Sequence, residues 1–111
     1  MKDINLLSTK ANEIRKNIVS MITEAKSGHP GGSLSATDIL TTLYFHEMNI
    51  DPANPKMENR DRFVLSKGHA APALYATLAE RGYFDKSVCF YLSKSISANY
   101  AFNITLSLAK I

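Results

Sequence analysis

Apolar residues recur at steps of three and four from Ile4 onward: Ile4, Leu7, Ala11, Ile14, Ile18, Met21, Ile22 and Ala25. That is the helical period. Lys10, Glu13, Arg15, Lys16 and Glu24 fall largely off the stripe. The pattern predicts one amphipathic helix from about Asp3 to Lys26, stopped by Gly28 and Pro30. A loop then runs to Ser35, which reads as an N-cap, with Asp38 three residues on as an approximate capping box. The helix that follows extends to about Met48. Its apolar positions, Ile39, Leu40, Leu43, Tyr44 and Met48, form a face broad enough to imply burial on more than one side.

Asn49 to Asp61 carries Pro52, Pro55, Asn54 and Asn59 and reads as loop. Arg62-Phe63-Val64-Leu65-Ser66 reads as a short strand, although so brief an apolar run can equally be a buried helix turn. Lys67-Gly68-His69 turns the chain, and a third helix spans about Ala70 to Arg81, with Pro72 in its first turn and Gly82 at its end. The order helix, helix, strand, helix resembles the opening of an α/β domain, in which ligands sit at strand-to-helix turns. The remaining strands would have to come from beyond residue 84.

The character of the chain changes at Asp85. Residues 85–111 hold no glycine or proline and only four charges, Asp85, Lys86, Lys94 and Lys110. Tyr100, Phe102, Ile104, Leu106 and Leu108 share one face of a hypothetical strand, so this stretch reads as a strand or an aggregation-prone tail. The expected division is 1–84 and 85–111.

Composition narrows the class. The 111 residues fit one small domain or a piece of a larger one, and 45% are hydrophobic, as in globular proteins. The net charge of +3, from 13 basic and 10 acidic residues, is scattered, with no stripe to track nucleic-acid phosphates. No run of about 20 apolar residues offers a membrane span, and the N-terminus lacks the apolar core of a signal peptide. Cys89 is the single cysteine, so no internal disulfide is possible. These features favour a soluble cytoplasmic protein.

Two segments carry candidate chemistry: Ser27-Gly28-His29-Pro30-Gly31-Gly32-Ser33 and Ser66-Lys67-Gly68-His69-Ala70. Each sets a histidine beside glycine in a loop that runs into a helix. Glycine admits close backbone approach, a helix start offers free N–H groups and partial positive charge, and histidine titrates near neutral pH. Together they suit a phosphorylated or anionic ligand, although taken alone the His29 loop can equally be a structural turn and the glycine-histidine pair at His69 is more often structural than functional. His46 reads as a surface or packing residue. The spacing of His29, His46, His69 and Cys89 does not match a zinc pattern. Arg60-Asp61-Arg62 reads as a solvated charge cluster or as ion pairs fixing the loop, and Tyr44, Phe45, Phe63 and Tyr75 as core. No Ser/His/Asp or Cys/His nucleophile set can be read from the spacing.

In order and spacing, the segment Ser27 to Ser35, Leu43-Tyr44-Phe45, the segment Arg60 to Ala70, Leu74-Tyr75-Ala76 and the segment Leu78 to Phe84 resemble the N-terminal part of transketolase, over about residues 8–84. The variant split into N-terminal and C-terminal subunits is the nearest likeness. The resemblance implies a fragment of a thiamine-diphosphate-binding parallel-sheet α/β domain, mostly helical as it stands. It implies thiamine-diphosphate-dependent transfer of two-carbon ketol units between sugar phosphates, with Mg2+ as the accompanying metal and a transketolase C-terminal subunit or second protomer as partner.

By the same resemblance, His29 is the catalytic and substrate-binding histidine near the reactive carbon, and His69 with Gly68 contacts the cofactor diphosphate. After Phe84 the likeness stops. The family's next histidine-proline loop, its Gly-Asp-Gly motif and the later asparagine, which hold magnesium and diphosphate, have no counterpart here, and no metal ligand is assigned. The expectation is a truncated or frame-shifted chain, inactive alone. The alternatives are a non-catalytic module that pairs with a transketolase C-terminal subunit, or a small anion-binding protein.

Overall fold

The computed structural model describes residues 3–26 and 28–89, a set of three helices and their connections. Helix α1, Ile4–Ala25, follows the predicted stripe: Ala11, Ile14, Ile18 and Met21 are its buried residues. Asp3 caps it, its carboxylate accepting from the Leu6 amide at 3.0 Å. The helix ends where Lys26 takes the left-handed conformation, φ 54°, an unusual backbone for a residue with a side chain.

Helix α2, Pro30–Thr42, starts six residues earlier than the pattern predicts. His29, not Ser35, is its N-cap, because Pro30 brings a φ already suited to the first helical position. Ser35 lies inside the helix, its hydroxyl donating to the Gly32 carbonyl at 3.2 Å. Asp38 is no capping-box partner; it pairs with Arg15 of α1. The buried residues of α2 are Ser33, Thr37, Leu40 and Thr41. Thr37 and Thr41 bury their hydroxyls by donating to carbonyls four residues back, at 3.0 and 2.7 Å. Leu43–Glu47 continues as a π-turn closed by Met48 N–H to Leu43 C=O at 2.8 Å.

Asn49 and Asp61 close the following loop. Asp61 N–H donates to the Asn49 carbonyl at 2.8 Å, and Asn49 N–H donates to the Asp61 carboxylate at 2.7 Å. Asp61 therefore fixes this loop through backbone amides. The expected strand at 62–66 is not formed, and no strand occurs among the described residues. The side chains still alternate, with Leu65 buried and Val64 66% exposed, yet no neighbouring strand among the described residues supplies a ladder. The parallel sheet of the expected α/β class is thus not seen among the described residues, which are mostly helical. The strand-like face at 100–108 falls outside them.

A 3₁₀ turn, Gly68–Ala70, leads into α3, Ala71–Arg81. Eight of the eleven residues of α3 are buried, which makes it the central helix. Alanines at 71, 73, 76 and 79 keep it slim where α1 and α2 pack on it. Gly82, φ 106°, ends it as predicted, with Tyr83 N–H reaching back to the Leu78 carbonyl at 3.0 Å. Tyr44 packs edge-on against Phe63 and Tyr83, at 6.0 and 6.5 Å between ring centroids, and its carbonyl accepts from Arg81 Nε at 2.8 Å. Glu80, 9% exposed, receives Lys10 of α1 at 3.1 Å and Lys86 at 2.9 Å. Burial alone would raise its pKa; the hydrogen bonds and charges of Lys86 and Lys10 outweigh that and hold it below the ordinary value.

Two outcomes follow. Ile18→Ala, at a fully buried position, lowers unfolding free energy by about 2–5 kcal/mol in urea titration, whereas Val19→Ala, one residue along and 49% exposed, stays within about 0.5 kcal/mol. The Glu80 contribution is present above its unfolded pKa of about 4.5 and is lost as pH falls through the lower folded value. Wild type therefore loses stability on acidification more steeply than Glu80→Gln, as read from melting temperatures across that window.

Candidate functional site

The two histidine loops meet at the first turn of α2. The 3₁₀ turn that carries Gly68 and His69 packs on α2. Lys67, just before it, lies across that first turn: its Nζ donates to Ser35 Oγ at 3.1 Å. A Cβ built on Gly32 would stand 3.4 Å from Lys67 Cε, an ordinary van der Waals contact, so the lysine stem passes directly over Gly32.

His29 and His69 are both exposed. His29 has extended backbone, φ −116° and ψ 114°, and its imidazole does not cap α2. No acidic residue stands in the first turn of α2 either. Pro30 has no N–H, so Gly31 and Gly32 supply the amides that a helix start leaves without intrahelical acceptors. Beside Gly31 and Gly68 the space where a Cβ would lie is open. Ser33, fully buried in the same turn, has a hydroxyl with no hydrogen-bond partner among the described residues. Ser27, the first residue of the motif, lies outside the described set.

These groups form one face of positive potential: unclaimed amides, the positive end of a helix dipole and an ammonium. Their chemistry fits a diphosphate. Magnesium is a different matter. It takes oxygen ligands in octahedral order, and among the described residues no group of three or more His, Cys, Asp or Glu side chains converges on a point.

The other singled-out residues fall elsewhere. His46, on the π-turn, pairs with Glu47 at 3.3 Å. Cys89 is buried far along the chain from either loop, against Asn17 and Tyr75. A groove of about 580 Å³ runs between the start of α1 and the end of α2, lined by Ile4, Leu7, Ala11, Arg15, Asp38 and Thr41 among others; neither histidine lines it. Lys67 is the residue that sequence reading passes over. Its place beside Gly68 is visible in the motif, but its reach to Ser35, 32 positions away, is a product of the packing.

Residues 7–91 match the family described as Transketolase, thiamine diphosphate binding domain. The 6-deoxy-6-sulfo-D-fructose transketolase subunit SqwG of Clostridium sp. (strain MSTE9) is 55% identical over 78 residues, 70% of this chain and 28% of that protein. An apulose-4-phosphate transketolase subunit of Phocaeicola vulgatus is 44% identical over 85 residues, 77% of this chain and 30% of that protein. Transketolase of Homo sapiens is 42% identical over 91 residues, 82% of this chain and 15% of that protein. The chain thus spans less than a third of the length of these relatives.

Ser33→Ala tests the unpartnered hydroxyl. Removing a buried polar group that has no partner leaves stability unchanged or raises it by up to about 1 kcal/mol, read by urea unfolding.

Proposed function

The chain belongs to the transketolase thiamine-diphosphate-binding domain family, and from that premise we propose that it is the N-terminal section of a thiamine-diphosphate-dependent enzyme transferring two-carbon ketol units between sugar phosphates. The observation that carries this reading is the meeting of the two histidine loops, Lys67 reaching across Gly32 to Ser35.

In this reading the amides of Gly31, Gly32 and Gly68, with Lys67 and His69, face the diphosphate, and open space at Gly31 and Gly68 admits it. Thiamine diphosphate, when bound, would supply the acidic carbon and the electron sink that ketol transfer requires. His29 is the catalytic residue of this chain: it donates hydrogen bonds to substrate oxygens and exchanges protons with them, a task suited to the two nitrogens of an imidazole. No step is assigned to Mg2+, because the described residues bring no ligand set together. The described residues bring the two histidine loops together but no metal-holding group, and in this reading the chain alone is inactive. A transketolase C-terminal subunit is the partner proposed; two of the relatives are themselves named as transketolase subunits. A non-catalytic pairing module, the second reading, shares that partner but not the ligand face. Sugar phosphates are the proposed substrates, and the cytoplasm the proposed location. Among the described residues no helix is long and apolar enough to cross a membrane.

The test is amide-resolved NMR of the full chain with inorganic diphosphate as probe. Shifts concentrated at Gly31, Gly32 and Gly68, weakened in Lys67→Met, are expected; a silent first turn of α2 removes the proposed ligand face. Calorimetry with thiamine diphosphate and Mg2+ should show no tight binding by the chain alone. Tight binding there would overturn the view that the chain lacks the groups that hold the cofactor. Retention of a transketolase C-terminal subunit without any diphosphate response would favour the pairing module.

A further inference from the structure

After Gly82 the chain folds back on itself. Residues 85–89 form one helical turn, with Val88 N–H donating to the Asp85 carbonyl at 3.0 Å and Cys89 N–H to the Lys86 carbonyl at 3.1 Å. Two separate contacts hold this turn to the helices. Lys86 Nζ meets one oxygen of Glu80 at 2.9 Å, while the other oxygen receives Lys10 of α1 at 3.1 Å. Cys89 is fully buried, its thiol 3.5 Å from the Tyr75 carbonyl of α3 and its sulfur 3.6 Å from Asn17 Nδ2 of α1. The turn therefore seals the seam between α1 and α3.

Among the described residues, little else holds it. Asp85, Lys86, Ser87 and Val88 are all exposed. A segment with one small buried side chain, exposed backbone bonds and one ion pair belongs to the low end of local stability. We propose that residues 85–89 are a latch that opens as a unit without global unfolding, that the Lys86–Glu80 contact sets how often it opens, and that opening uncovers the seam at Asn17 and Tyr75. Cys89 has no exposed surface in the closed state, so any group attached to its sulfur holds the latch open. Burial also pushes the closed thiol up to about 11, which leaves little of the reactive thiolate near neutral pH.

As the single cysteine, Cys89 reports on the latch directly. The probe is N-ethylmaleimide on the full chain: sulfur bonds to one alkene carbon and the thiol proton ends on the other, and mass spectrometry reads the product. The native chain should label roughly tenfold or more slowly than the urea-unfolded chain, because its thiol is both buried and protonated. The rate should be flat in urea concentrations below the unfolding transition, the mark of local opening. Lys86→Met, which leaves Lys10–Glu80 intact, should speed labelling about two- to fivefold, the scale of a partly exposed ion pair, with the unfolding midpoint little changed. Labelling at the unfolded rate would sink the proposal, as would a rate that climbs with urea as steeply as global unfolding. A Lys86→Met rate equal to wild type would remove the ion pair from it.

Discussion

Enclosure of α3 is the constraint from which the remaining arrangement follows. A helix buried on nearly all sides must be narrow if two others are to reach it, and the alanines at 71, 73, 76 and 79 make it so. Helix α1 brings Ile14, Ile18 and Met21 to the same core. Helix α2 brings Leu40 together with hydroxyl residues that are tolerated inside because Thr37 and Thr41 satisfy themselves on their own backbone. Once α3 is enclosed, the turn that precedes it is fixed against α2, and with it Gly68 and His69. The histidine loops meet because the core leaves them nowhere else to go.

What the sequence reveals tracks how local the governing physics is. Helix α1 is readable because its stripe, its Asp3 cap and the break at Gly28 are all encoded within a few residues. The end of α3 at Gly82 is readable for the same reason, since a left-handed cap there suits glycine. The start of α2 misleads because two rules compete. Ser35 is the better capping residue, but Pro30 settles the helix start at His29. The segment 62–66 has a strand's alternation without a strand's partner, and pairing is a tertiary fact that alternation cannot announce.

The candidate site shows the same division. Both loops are conspicuous as sequence motifs, and their family likeness is readable from the order of several short segments. Their mutual approach is not, since it depends on Lys67 reaching over Gly32 to a hydroxyl in another element. Asp38 illustrates the converse. Its spacing from Ser35 suggests a local role, and its actual partner is Arg15 on a different helix. Charged side chains on helix surfaces find whichever opposite charge the packing presents, so their partners are the least legible part of a sequence.

The connection between α1 and α2 has a mechanical consequence. Between the end of α1 at Ala25 and the start of α2 at Pro30 there are only four residues, two of them, Lys26 and Gly28, at positive φ. So short a connection limits how far α1 and α2 can shift apart. His29 is the N-cap of α2, so its backbone moves with the start of that helix. In the role proposed for His29, misplacement of about 1 Å would be poorly tolerated. The interior residues that register the two helices, Ile18, Met21 and Leu40 among them, therefore also bear on where the backbone of His29 sits.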